Sequence, residues 1–197
     1  MGKSETDLAA LIGSRICHDL ISPIGAINNG LELLGMAGQA GGAELDLITQ
    51  SVENASARIR FFRIAYGAAG KQLVGRAEVV STLKDYSAGG RLEMAWGPLE
   101  PHPRSQVRLA FLALQCLESA MPYGGRVDVT QAGGAWTLTG QADKLNVDAA
   151  LWSILEGGPV SDVSPSQVQF ALLATLGAEA GRQVRVTHDG AHITLSF

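Results

Sequence analysis

The sequence predicts an α+β protein: an N-terminal αα-hairpin that dimerises into a four-helix bundle, followed by an α/β two-layer sandwich. Three observations predict it. The first third carries apolar residues at helical spacing, a glycine-containing stretch follows it, and the remainder mixes helical runs with alternating, strand-like runs. Helices combined with mostly antiparallel strands are typical of a two-layer sandwich.

Two long helical patterns open the chain. The apolar residues of the first recur every three or four positions: Leu8, Ile12, Ile16, Leu20, Ile24, Ile27, Leu31 and Leu34. After a glycine-rich break, GMAGQAGGAE, the second pattern uses Leu45, Ile48, Val52, Ala55, Ile59, Phe62 and Tyr66. A short loop between two long helices predicts an antiparallel hairpin. Because a lone hairpin leaves its apolar stripe uncovered, we expect a homodimer.

The hairpin domain is expected to span residues 1–68, with a linker at 69–75 and the α/β domain at 76–197. In that domain, helices are predicted in AEVVSTLKDYSA, PRSQVRLAFLALQCLESAMP, VDAALWSILEG and SPSQVQFALLATLGAEAG. RLEMAW predicts a strand. RVDVTQ and AWTLTG predict a β-hairpin around Gly133–Gly134, and RQVRVTH and AHITLSF predict another around Asp189–Gly190.

Composition excludes several classes of protein. Hydrophobic residues make up 46% of the 197 residues, which suffices for a core, and the net charge of -4 argues against a nucleic-acid binder. No apolar run approaches the ~20 residues of a membrane helix, and no signal peptide is visible. Cys17 and Cys116 make no metal-ligand spacing, so we expect reduced thiols, a cytoplasmic protein and no bound metal.

The candidate catalytic residue is His18, in the stretch SRICHDLISPIGAINNGLELL. Summing ~100° per residue places His18 opposite the apolar stripe, so the helix offers it to solvent. A neutral imidazole is a good nucleophile at cellular pH, provided that one ring nitrogen is free and an acceptor orients the other. Asp19 is the nearest acceptor, although neighbouring residues do not share a helix face.

Residues around His18 suggest a docking surface for another protein. Pro23 removes a helical hydrogen bond and should bend or loosen the helix just beyond His18. Most residues one or two turns away are small, and Ile21 is apolar without a bundle core to join. Basic residues on both helices are suited to steer acidic partners. The predicted docking set is Ser14, Arg15, Ile21, Ser22, Gly25, Asn29 and Arg58.

The residues HDLISP, from His18 to Pro23, resemble the His-Glu/Asp-x-x-x-Pro box of two-component histidine kinases. The longer stretch, together with ARIRFFRIAYG on the second helix, more closely resembles the dimeric histidine phosphotransferases of the ChpT type. That resemblance implies a phosphorelay between receiver domains of a hybrid kinase and of response regulators. It makes His18 the phosphoacceptor and Asp19 its acid/base or orienting partner. Mg²⁺ would then come with the receivers, and this chain would bind no cofactor.

The second domain departs from the ATP-binding pattern of a kinase. A kinase places an Asn on the first long helix of that domain, and here Ser105–Met121 offers Gln115, Cys116 and Glu118 instead. No Asp-x-Gly-x-Gly and no Gly-x-Gly occurs in the chain. We therefore expect a degenerate relative of the kinase catalytic domain that binds no ATP. Two alternatives stay open: a non-catalytic adaptor that binds receivers, and an atypical ATP-dependent histidine kinase.

Overall fold

Two long helices open the chain and pack against each other as a hairpin, and a sheet with further helices follows, which confirms the predicted α+β architecture of the single chain. The computed structural model describes residues 5–37, 42–68, 70, 72–160 and 163–197. α1 covers Glu5–Ala37 and α2 covers Gly42–Ala65. α1 continues through Pro23, whose side chain is buried on the apolar side of the helix. The predicted turn falls on residues 38–41, which lie outside the described residues.

A mixed sheet forms one layer of the remaining chain. Its strands are β2 (Leu92–Trp96), β4 (Gly125–Ala132), β5 (Ala135–Gln141), β6 (Arg185–His188) and β7 (His192–Ser196). They lie in the order β2-β4-β5-β7-β6. The β2–β4 pair is parallel and the other pairs are antiparallel. The β4–β5 turn has Gly133 and Gly134 at φ +58° and +86°, as the predicted two-residue hairpin requires.

Two details of the sheet differ from the sequence prediction. The last hairpin turns at Gly190 and Ala191, one residue later than predicted, because the Asp189 carboxylate accepts hydrogen bonds from the backbone N–H groups of Ala191 and His192. The end of the predicted linker is also ordered. β1, Leu73–Val74, pairs antiparallel with β3, His102–Pro103, so residues 73–74 belong to a small separate sheet.

Helices cover one face of the sheet. They are α3 (Arg76–Ser87), α4 (Arg104–Ala120), α5 (Ala149–Ser153) and α6 (Val168–Glu179). The predicted helix VDAALWSILEG is shorter than expected. Asp148 caps α5 through its side chain, but a 3-10 turn follows and Gly157, at φ +95°, ends it. Another 3-10 turn, Pro165–Gln167, leads directly into α6.

The hairpin and the α/β layers share one hydrophobic core. Phe61 and Ile64, near the end of α2, are buried in the same cluster as Phe111 of α4 and Trp136 of β5. The first turns of α1 pack against that cluster too. Arg104 and Arg108 of α4 donate hydrogen bonds to the last carbonyl groups of α2. One half of the hairpin is therefore fixed to the second domain.

The other half of the hairpin projects away and leaves large apolar side chains exposed. These are Ile24, Leu31, Leu33, Leu45, Leu47 and Val52, whereas Ile21 and Ile59 are exposed nearer to the second domain. None of the helices in the described part of the chain is long and apolar enough to cross a membrane.

Candidate functional site

The His18 imidazole stands on the solvent-facing side of α1, with 78% of its side chain exposed. The apolar stripe of α1 lies on the opposite side, where Pro23 is buried five residues later. The exposure that the helical periodicity predicts is therefore present. A partner molecule can approach the ring without any movement of the fold.

Asp19 contacts the His18 ring although the two residues are adjacent on the helix. Its Oδ1 lies 3.1 Å from His18 Nδ1, and its side chain is only 9% exposed. The two side chains fold toward each other, which the helical spacing alone does not predict. Because a carboxylate only accepts hydrogen bonds, this contact requires the proton on Nδ1. The lone pair of the neutral ring then lies on Nε2, which no described group bonds.

Arg15, which the sequence analysis assigned to the docking set, is turned away from solvent. Its side chain is 14% exposed, and its Nε donates to Asp19 Oδ2 at 2.7 Å. Its Nη1 donates to the backbone carbonyl of Ser166, in the 3-10 turn before α6. The guanidinium therefore joins the Asp19 carboxylate to the second domain.

Arg58 reaches the same carboxylate from α2. Its Nη1 lies 3.9 Å from Asp19 Oδ2, and its Nε donates to Asn54 Oδ1 at 2.9 Å. The guanidinium also lies over the ring of Tyr86. A neighbouring pair of arginines points elsewhere: Arg60 pairs with Asp85 of α3, and Arg63 lies 4.0 Å from Glu78. Of the three arginines on α2, Arg58 alone faces His18.

An open groove between α1 and α2 runs beside the His18 ring. Its lining residues are His18, Asp19, Ser22, Pro23, Ala26, Leu47, Gln50, Ser51, Asn54 and Arg58. The sequence reasoning missed Gln50 and Asn54. Their signal was the four-residue spacing of Gln50, Asn54 and Arg58, which places polar side chains on one face of α2.

Most of the predicted docking residues share the face of His18. Ser14, Ser22 and Asn29 are exposed, Gly25 is half-buried with open space beside its Cα, and Ile21 is 72% exposed. Arg15 and Arg58 instead surround Asp19. The structure thus separates the predicted set into a solvent face and a charged cluster beneath the ring.

Behind Arg58 lies a second polar contact. The Tyr86 hydroxyl donates to Glu118 Oε2 at 3.0 Å, and Glu118 is one of the residues that replace the expected kinase Asn on α4. Burial raises the pKa of the Glu118 carboxyl, and burial also raises the pKa of the Tyr86 hydroxyl. In the described part of the chain, no three His, Cys, Asp or Glu side chains group as a metal site.

The charged cluster suits a nucleophilic imidazole. The contact of Asp19 Oδ1 with His18 Nδ1 favours the tautomer that leaves the lone pair on Nε2, and two arginines lie beside the carboxylate. An orienting carboxylate on one ring nitrogen is the arrangement that makes histidine effective in proton and group transfer.

Comparison with known proteins shows the family to which the chain belongs. Residues 76–192 match the histidine phosphotransferase C-terminal domain. The protein phosphotransferase ChpT of Brucella abortus is 37% identical, over 98% of this chain and 96% of that protein. A solved structure described as a bacterial phosphotransferase is 34% identical, covers 100% of this chain and 98% of its own, and gives a TM-score of 0.84. These matches confirm the family that the residues around His18 suggested. The chain belongs to the histidine phosphotransferases of the ChpT type.

Proposed function

We propose that this protein carries phosphoryl groups in a phosphorelay on Nε2 of His18. It accepts the group from a phosphoaspartate on one receiver domain and passes it to the aspartate of another. The observation that carries the proposal is the exposed His18 ring with Nδ1 held by the Asp19 carboxylate. Membership of a phosphotransferase family favours this function over a non-catalytic adaptor.

The proposed step needs no proton to leave the ring. As the Nε2–P bond forms, the P–O bond to the donor aspartate breaks and that aspartate departs as a carboxylate. The imidazole, still protonated on Nδ1, becomes positively charged. The Asp19 carboxylate, 3.1 Å away, stabilises that charge. In the second step a carboxylate oxygen of the recipient attacks phosphorus, and the electrons of the N–P bond return to Nε2.

The face around His18 is proposed to dock the receivers. Ile21 supplies an apolar contact, and the small or polar side chains of Ser14, Ser22 and Asn29 let a partner approach closely. Arg58 adds positive charge at the groove, which attracts the carboxylates of a receiver site. We assign Mg²⁺ to the receiver, not to this chain.

We also propose that the working form is a homodimer in the cytoplasm. The apolar residues of the projecting half-hairpin are exposed in one copy, and a second copy would cover them in a four-helix bundle. Both cysteines are free thiols, which agrees with a reducing compartment.

Phosphoryl uptake from a phosphorylated receiver tests the assignment of His18. The wild-type protein and His188→Ala, which alters an exposed histidine on β6, are expected to become labelled when mixed with a radiolabelled receiver phosphate. His18→Ala is expected to remain at background because no other group replaces Nε2. Label on His18→Ala would refute the assignment, and an unlabelled wild type with every receiver tried would refute the function.

A further inference from the structure

Arg15 is the point at which the second domain reaches the His18 site. Its Nε bonds Asp19 Oδ2, and its Nη1 bonds the Ser166 carbonyl, 151 positions further along the chain. Asp19 in turn uses its other oxygen for His18 Nδ1. An unbroken series of polar contacts therefore runs from the turn before α6 to the imidazole.

We infer that Arg15 is a positioning residue through which the turn before α6 holds the Asp19 carboxylate against His18 Nδ1. Its effect on transfer rests on the function proposed above, whereas its effect on the ring does not. The second domain then does more than brace the hairpin. It supplies the Ser166 carbonyl, which orients Arg15 and through it Asp19 and the His18 ring.

The Ser166 carbonyl is a fixed acceptor because its turn is well braced. The Ser164 hydroxyl and backbone N–H both bond the Gln167 side chain, and the Gln167 backbone N–H bonds the Ser164 carbonyl. These reciprocal contacts form a capping box at the start of the turn. Buried Val163 and Val168 flank the turn on either side.

An arginine is needed because two donors must point in different directions. The planar guanidinium reaches Asp19 with Nε and Ser166 with Nη1, whereas a lysine ammonium is a single point of charge. Although burial opposes the charge of Arg15, its attraction to Asp19 helps to raise the pKa of the guanidinium, so it stays charged.

Removal of Arg15 leaves Arg58 as the cation nearest to Asp19. Arg58 lies 3.9 Å from Oδ2, on the groove side. Because the Asp19 carboxylate loses its 2.7 Å hydrogen bond to Arg15 Nε, it is free to turn toward Arg58 and to release His18 Nδ1. The ring then loses its fixed tautomer and orientation, and misplacement of a reacting group by even ~1 Å lowers rates by up to about 100-fold.

The tautomer of His18 is the direct readout. In the full-length protein labelled with ¹⁵N-histidine, at a pH where His18 is neutral, the wild type is expected to show the Nδ1–H form. Arg15→Ala and Arg15→Gln should shift the ring toward the Nε2–H form that an unconstrained histidine side chain prefers. Arg60→Ala, which removes an arginine from an exposed ion pair, should leave the tautomer unchanged. An unchanged tautomer in a folded Arg15 variant would overturn the inference, whatever the protein's function.

A double-mutant cycle distinguishes positioning from simple bracing. We expect Arg15→Ala to slow phosphoryl transfer by at least about tenfold in the wild-type background. In an Asp19→Ala background the same change should have no further effect, because Arg15 acts through Asp19. Equal losses in both backgrounds would show a general structural role and refute positioning. Arg15→Gln replaces Arg15→Ala in the cycle if the alanine variant fails to fold, and Arg15→Lys should restore only part of the rate.

Discussion

At the scale of single residues, Glu118 occupies an unusual environment behind the site. It accepts a hydrogen bond from Tyr86, and the Arg58 guanidinium lies over the tyrosine ring. Burial nevertheless outweighs these favourable contacts and raises the pKa of the Glu118 carboxyl above its ordinary value of 4.5. The folded protein therefore holds this proton more tightly than the unfolded chain does.

This difference gives a pH-dependent stability with a definite sign. Because the folded pKa of Glu118 is the higher one, its contribution to stability is fully present below pH 4.5 and is lost as pH rises through the folded pKa. Glu118→Gln keeps an acceptor for Tyr86 but removes the charge. Urea unfolding should show the variant more stable than wild type at pH 7, with an advantage that shrinks toward pH 4.5.

Glu100→Gln is the matched control for this prediction. Glu100 is exposed in the loop before β3, so its substitution should change stability by less than about 0.5 kcal/mol at every pH. A constant difference between Glu118→Gln and wild type across the range would contradict the assigned titration.

Sequence patterns predicted the position of the His18 ring better than its contacts. Its exposure follows from the direction of the apolar stripe on α1, and many residues together define that direction. The contact between Asp19 and Nδ1 depends on the rotamers of two adjacent side chains, and on Arg15 turning inward to Ser166. Rotamers and long-range backbone contacts leave no period in a sequence, so the inward orientation of Arg15 was not predicted.

At the scale of elements, the two hairpin helices approach closely at Gly30 of α1. A Cβ on this buried glycine would stand 2.6 Å from Ile48 Cγ1 of α2. The β-branched isoleucine has few alternative rotamers in a helix, so it does not move aside easily. Gly13, in the same helix, has nothing within 4 Å of the corresponding position.

The pair Gly30→Ala and Gly13→Ala therefore separates packing from helix propensity. Both changes gain up to about 1 kcal/mol because alanine favours the helix over glycine. Only Gly30→Ala forces extra volume between α1 and α2, which costs about 1–3 kcal/mol. Urea unfolding at one protein concentration should find Gly30→Ala less stable than Gly13→Ala by that amount. Equal gains from both would show that the helices are free to separate there.

The same scale shows which elements a sequence predicts well. Long amphipathic runs such as α1, α2 and α4 were predicted because many residues repeat one period. The two-residue strands β1 and β3 were not predicted, since two residues are too few to show an alternating pattern and the paired residues are far apart in the chain. The last turn lies one residue later than predicted because the Asp189 carboxylate, which accepts two backbone hydrogen bonds, organises it.

At the scale of the whole molecule, the buried end of the hairpin and its exposed end have different roles. The ring centroid of Phe61 lies 4.0 Å from that of Tyr86 of α3 and 4.7 Å from that of Phe111 of α4. The junction between the hairpin and the second domain is therefore part of the main core. Among the described residues, the projecting end has no such aromatic layer. On α2 the exposed residues Leu45, Val52 and Ile59 are seven apart, the spacing of a helix face that packs against another helix.

Because of that spacing, a single charged substitution on this face can test the proposed dimer. Val52→Glu places a carboxylate in the middle of the exposed stripe, where a second copy would have to bury it, and burial of an unpaired charge is strongly unfavourable. Light scattering at micromolar concentration should give the wild type a mass of about twice the chain's 20.6 kDa, and Val52→Glu a mass close to that of one chain. Leu99→Glu, at an exposed leucine outside the hairpin, should remain dimeric. A wild-type mass of one chain would refute the proposed homodimer.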